Sequence, residues 1–264
     1  MTGNEIQYTK MTATPIPRLV VSLAVPTVAS MMVTALYNTA DTFFVSRLGT
    51  SASAAVGVVF SLMAIFQAIG FTLGTGAGSL VSLRLGAKDV NAASKYLSTS
   101  FFAALFCGGL FTLYGLIDID HLMRMLGSTP TILPYSRSYA AWILLGAPVM
   151  CASFVMNNVL RSEGKAAFAM AGLVTGGFIN MGLDPLFIFT FKMGIAGAAI
   201  ATLVSQCISF AILISFYLRG RSTSKLSFRY FSARFGDFYQ IVRLGFPSLC
   251  RQGLASIATV SLIV

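Results

Sequence analysis

The chain has 264 residues, of which 56% are hydrophobic and only 10% charged, with a mean hydropathy of +0.81. A soluble domain carries about 25% charged residues to cover its surface, so this composition excludes a water-soluble globule and makes lipid the natural solvent. The formal charge of +10 does not indicate nucleic acid, because the basic residues lie between apolar runs rather than on one face.

Taken in order, residues 1–14 are polar and lack the apolar core and small-residue cleavage site of a signal peptide. The first span is therefore expected to stay as an anchor behind a cytoplasmic tail, 1–17. Apolar runs predict helical spans at 18–45, 53–83, 94–117, 137–160, 167–191 and 195–218. Each is long enough for about 20 residues at 1.5 Å rise to cross roughly 30 Å of hydrocarbon. A connection follows at 219–241, and a seventh span begins near 242 and still runs at Val264. The expected fold is an all-α polytopic membrane protein, a six-helix transmembrane bundle over 18–218 plus the start of a seventh helix.

Orientation follows from the distribution of Lys and Arg. The N-terminus and the second, fourth and sixth connections hold thirteen, the first, third and fifth hold four, and Arg251 lies inside the seventh span. That asymmetry places the N-terminus and the 219–241 connection in the cytoplasm. The expected location is the plasma or inner membrane of the cell, multi-pass, with the lipid bilayer as constant partner.

Two features predict further chain. The sequence stops in the apolar run SIATVSLIV, and LGFPSLCR (244–251) echoes LAVPTVAS (23–30). Such an echo fits a transporter built from two six-helix repeats, with 242–264 opening the second. Small-residue ladders at Gly70/Gly74/Gly78 and Gly172/Gly176 predict close helix contacts, or freedom for a moving bundle. The four cysteines are isolated and read as small apolar packing residues. His121 lies in a polar connection and is expected to be solvated.

Of eight acidic residues, only Asp41 and Asp184 fall inside spans. A charged Asp near a helix centre costs about 2.5–3.5 kcal/mol on insertion scales, so the pair points to function. Asp41 lies one turn after Tyr37 and beside Asn38, and Asp184 lies one turn after Asn180. Pro185, Pro26 and Pro148 each leave a carbonyl four residues earlier without its partner, those of Met181, Ser22 and Leu144. Pro26 and Pro185 are thus expected helix breaks, and freed carbonyls near a carboxylate suit a bound cation. Asn157 and Asn158 add amides on the fourth span, with Tyr139 five turns earlier on the face of Asn157, and Thr202 adds a hydroxyl on the sixth.

The segments ALYNTADTFFVSRLG (35–49), GTGAGSLVSLRLGAKD (74–89), LRSEGKAAFAM (160–170), NMGLDPLFIF (180–189) and GIAGAAIATLVSQ (194–206) resemble the N-terminal half of the multidrug and toxin extrusion (MATE) family. The aspartate of the first span with N-x-x-x-D in the fifth is similar to the bacterial and archaeal, DNA-damage-inducible-F-like branch. The resemblance implies a twelve-helix, two-lobed antiporter that exports small organic, often cationic, compounds in exchange for H⁺ or Na⁺, with no cofactor. It makes 18–218 an N-lobe and implies a cation site, for H⁺ or a possible Na⁺, at Asp41, Asn180, Asp184 and Thr202. Tyr37, Asn157 and Tyr139 become its supporting network. The family has a second lobe, which here would be a further segment or a second copy of the chain.

Three other readings make distinct demands on the sequence. A lipid-linked oligosaccharide flippase or exporter of related fold calls for a cavity lined with Arg and Lys, whereas the spans are nearly free of basic residues, Arg251 excepted. An intramembrane aspartyl protease could use two carboxylates sharing a proton, but Asp184 sits in GLDP rather than the G-x-G-D context of those enzymes. A passive membrane scaffold predicts no cation-dependent behaviour.

Overall fold

The computed structural model describes residues 13–263, with side-chain surroundings to Gln252; the tail through residue 12 and Val264 lie outside the described residues. The chain is carried by α1 (Ile16–Ser46), α2 (Thr50–Gly86), α3 (Val90–Ile117), α4 (Leu133–Ser162), α5 (Ala166–Pro185), α6 (Gly194–Leu218) and α7 (Phe235–Ile263). A two-turn helix, Ile119–Met125, joins α3 to α4, a π-helical turn, Leu186–Thr190, continues α5, and a 3-10 turn, Phe228–Tyr230, interrupts the sixth connection. Helices α1 to α6 are long and apolar enough to cross a membrane, and no strand occurs among the described residues. This is the all-α polytopic bundle that the apolar runs predict.

Local chemistry sets the helix ends. Asp89 caps α3 by accepting the Ala92 N–H at 2.9 Å, and Asp118 caps the two-turn helix by accepting that of His121 at 3.1 Å. Gly164, at φ +77°, makes the turn from α4 to α5 where a side chain would be strained. Within the spans, many hydroxyls bond back to the preceding turn, as Thr72 to Ala68 and Thr75 to Phe71, which satisfies those donors inside the helix.

Helix α4 is the most deeply buried span and packs on α2, α3 and α6, whereas α1 leans mainly on α5. The glycine ladders do the packing. A Cβ on Gly70, Gly74 or Gly78 would meet Phe154, Asn158 or Ser162 of α4 at 3.0 Å or less, and Gly172 and Gly176 lie equally close to Leu213 and Ser209 of α6. The carbonyl of Leu144, freed by Pro148, accepts the Thr112 hydroxyl of α3 at 2.5 Å, so it serves helix packing rather than a cation. Helix α1 runs unbroken through Pro26, contrary to the expected break, because one missing hydrogen bond leaves the flanking turns of a 31-residue helix intact. At Pro185 the α-helix does give way, to the π turn.

The sixth connection is fastened to the bundle, and its anchor is an acid that position in the chain hides. Glu163 lies in the α4–α5 connection, yet its side chain is fully buried. Its carboxylate accepts the Ser222 hydroxyl at 2.8 and 2.9 Å, the Thr223 N–H at 2.9 Å and the Ser224 N–H at 3.0 Å. Lys165 stands 3.9 Å from it and donates to the Arg221 carbonyl at 2.6 Å. Further along, Ser94, Ser98 and Thr99 of α3 accept the N–H groups of Lys225, Ser227 and Ser232.

Helix α7 starts at Phe235, earlier than the span expected near 242, because its first turns find polar partners on the bundle. Asp237 pairs with Lys95 at 2.6 Å and accepts the Ser232 hydroxyl at 2.6 Å, and Tyr96 donates to Gln240 at 3.0 Å. Burial alone would raise the Asp237 carboxyl, but the Lys95 ammonium and the Ser232 hydroxyl outweigh it and hold the group below the usual carboxylate range. A depressed folded value means stabilisation present above the unfolded value near 3.9 and lost as pH falls through the folded one. Melting temperatures of the wild type and Asp237→Asn should therefore differ at about pH 7 and converge as pH falls through the folded value. A gap that stays constant with pH would contradict this.

Candidate functional site

Asp41 on α1 and Asp184 on α5 are both buried, at 5% and 0% exposure, as are Asn180 at 3% and Thr202 at 6%. Each arrives there for a local reason. Gly177 of α5 lets α1 approach, since a Cβ there would meet Tyr37 and Val33 at 3.1 Å. Asn180 and Asp184 share one face of α5 at a spacing of four, and α6 brings Thr202 against them.

The contacts run between side chains of four helices. The Tyr139 hydroxyl of α4 donates to Asp41 Oδ2 at 3.4 Å. Asn180 Nδ2 donates to Asp184 Oδ1 at 3.2 Å and lies 3.4 Å from Thr202 Oγ1. Asp41 with Tyr139 and Asp184 with Asn180 and Thr202 thus form two hydrogen-bonded sets. No hydrogen bond among the described residues runs directly between the two carboxylates, as it would in a protease dyad.

Three acceptors at this site have no donor: Asp41 Oδ1, Asn180 Oδ1 and Asp184 Oδ2. Buried polar oxygens are nearly always hydrogen-bonded, and a lone one costs roughly 1–3 kcal/mol. Three on adjacent residues suit a bound positive charge. Among the described residues no group of three His, Cys, Asp or Glu occurs that would hold a transition metal; two carboxylates with amide and hydroxyl oxygens suit a proton or a hard monovalent cation.

The network does not include every residue expected in it. Asn157 is buried but donates to the Ala169 carbonyl at 2.9 Å, tying α4 to α5. It shares a face with Tyr139 but lies about 27 Å further along α4, at 1.5 Å per residue, so one face does not mean one site. Tyr37 makes no hydrogen bond to the carboxylates; it packs on Gly177 and lines a cavity of about 10 Å³ with Asn180, Thr202, Ser205, Gln206 and Ser209. Asn158 faces α2 and bonds back to Phe154. Glu163 is the buried acid that sequence reasoning missed. Its signal was the pairing of a lone acid between basic residues with the donor-rich RSTS segment at 221–224.

The model of the MatE family matches residues 26–186, which include both aspartates. Multidrug export protein MepA of Staphylococcus saprophyticus is 25% identical over 226 residues, which is 85% of this chain and 50% of that protein. An FAD transporter of Shewanella oneidensis is 31% identical over 208 residues, 77% of this chain and 46% of that protein. A MOP superfamily transporter from Pyrococcus furiosus superposes with a TM-score of 0.87 at 32% identity, over 98% of this chain and 57% of that one. The chain spans about half the length of the curated relatives it matches.

Proposed function

Because this chain belongs to the MatE family, we propose that it is the cation-sensing part of a secondary active exporter, which moves small organic compounds against an inward flow of H⁺ or Na⁺. The single observation that carries the reading is the set of three unpartnered oxygens on Asp41, Asn180 and Asp184. A second six-helix unit, as a further segment or another copy, completes the pathway, in keeping with relatives of about twice the length. The thirteen-to-four distribution of basic residues supports a cytoplasmic N-terminus in the cell membrane.

The mechanism lies between α1 and α5. Helix α1 has α5 as its main neighbour, and each carries one carboxylate of the site. Two unneutralised charges in a dry interior repel, which favours separation. A proton, or Na⁺ held between Asp41, Asn180, Asp184 and Thr202, removes that repulsion and lets the helices close. Coupling requires only that cation and cargo prefer different states, and inward flow supplies about 2.3 kcal/mol per charge per 100 mV.

Ethidium efflux by the full-length protein in proteoliposomes, under an imposed H⁺ or Na⁺ gradient, tests this reading. Asp41→Asn and Asp184→Asn should each lower gradient-driven efflux by about tenfold or more, and the gradient that drives the wild type names the ion. Wild-type rates in both variants would end the proposal. A cargo with a negative group is a second reading, supported by the likeness to an FAD transporter and by Arg251 at membrane depth.

A further inference from the structure

Gln67 stands at the middle of α2, seventeen residues from Thr50 and nineteen from Gly86, and so at the centre of the membrane. Its Oε1 accepts from Gln252 Nε2 of α7 at 3.2 Å, which puts that part of α7 at the same depth. Ser248, Arg251 and Gln252 follow at i, i+3 and i+4, one face of the helix. Ser248 Oγ is buried and has no partner. Arg251 is exposed, and among the described residues no carboxylate lies within 4 Å of it; the ion pairs there are Lys95–Asp237, Arg137–Asp120 and Lys165–Glu163.

An arginine at this depth faces a water-filled space or a partner, because lipid would not solvate it. From this placement we infer that Arg251, one residue before the Gln67–Gln252 pair, recognises a phosphate or carboxylate group of the exported compound. A guanidinium presents five N–H donors in a planar fork that fits such oxyanions. Asp41 and Asp184 hold the negative pole on α1 and α5, so the positive pole on α7 is built from separate helices. Lipid headgroups lie about 15 Å away, half the thickness of the hydrocarbon core; depth therefore assigns the anion to the cargo. The inference rests on the exporter reading and makes Arg251 a specificity-determining residue.

The test compares export of FAD and calcein, both anionic, with ethidium, using the full-length protein in proteoliposomes. Arg251→Gln should lower export of an anionic probe by about tenfold, the worth of one lost charged contact, and leave ethidium within about twofold. Arg251→Lys should recover part of the anionic export. Equal loss of all three probes would make the arginine a structural partner and overturn the inference, as would an unchanged profile or a wild type that moves neither anion. Asp41→Asn separates the two proposals: if it leaves gradient coupling intact the cation site is wrong, whatever Arg251 does.

Discussion

Replacing Glu163 with alanine is expected to release the sixth connection from the bundle and to cost about 3 kcal/mol of stability. The carboxylate is fully buried and accepts from Ser222 Oγ, Thr223 N and Ser224 N, and all three of those residues are buried too. Each hydrogen bond to a charged group contributes roughly 1.5–3 kcal/mol, offset by desolvation of the carboxylate. Alanine strands two backbone donors at about 1–3 kcal/mol each and takes the counter-ion from Lys165. Glu163→Gln should cost less, since one amide oxygen still accepts while the NH₂ group faces a backbone donor. Melting in detergent and trypsin cleavage at Arg219, Arg221 and Lys225 measure the effect. Cleavage as slow in the alanine variant as in the wild type would show that the clamp does not hold the connection.

The second large effect is expected at the crossing of α2 and α7. A Cβ on Gly76 would run into the Ile241 carbonyl, and one on Gly245 into the Thr72 carbonyl. Both obstacles are backbone, which cannot turn aside as the end of a side chain can. Even Gly76→Ala should therefore push α7 away, exposing Ile241, which is 0% exposed, and straining Lys95–Asp237, Tyr96–Gln240 and Gln67–Gln252. A loss of about 3 kcal/mol or more is expected. The Gly76→Ala/Gly245→Ala pair should cost little more than either change alone, since helices once parted meet no second clash. Gly57→Ala and Gly109→Ala are the controls: nothing lies within 4 Å of either added Cβ, so both should be neutral or stabilise by up to about 1 kcal/mol. Cross-linking of a Tyr96→Cys/Gln240→Cys pair reports the separation directly. High yield in the Gly76→Ala background would contradict it.

Much of the molecule is legible in the sequence. The spans could be read because lipid demands long apolar runs with internally satisfied backbones, a property of each segment alone. The depth of Asp41 and Asp184 followed from the same runs, and the glycine ladders pointed to the contacts they make with α4 and α6. The family resemblance carried Thr202 and Tyr139 to the network in which the structure places them.

Other properties belong to pairs of segments far apart in the chain, and periodicity within one helix does not report them. Tyr139 and Asn157 share a face of α4, but only the positions of α1 and α5 decide that Tyr139 meets Asp41 while Asn157 meets Ala169. Glu163 reads as a connection residue because burial of a loop acid is created by its distant partners, here Ser222 to Ser224. The chain by itself determined an all-α membrane bundle and which acids lie in the hydrocarbon, because transfer from water to lipid acts residue by residue. Tertiary structure alone decided which oxygens are left without donors, which acid clamps the sixth connection and that α7 lies backbone to backbone on α2, because hydrogen bonds and steric contact act only between groups that the fold has brought together.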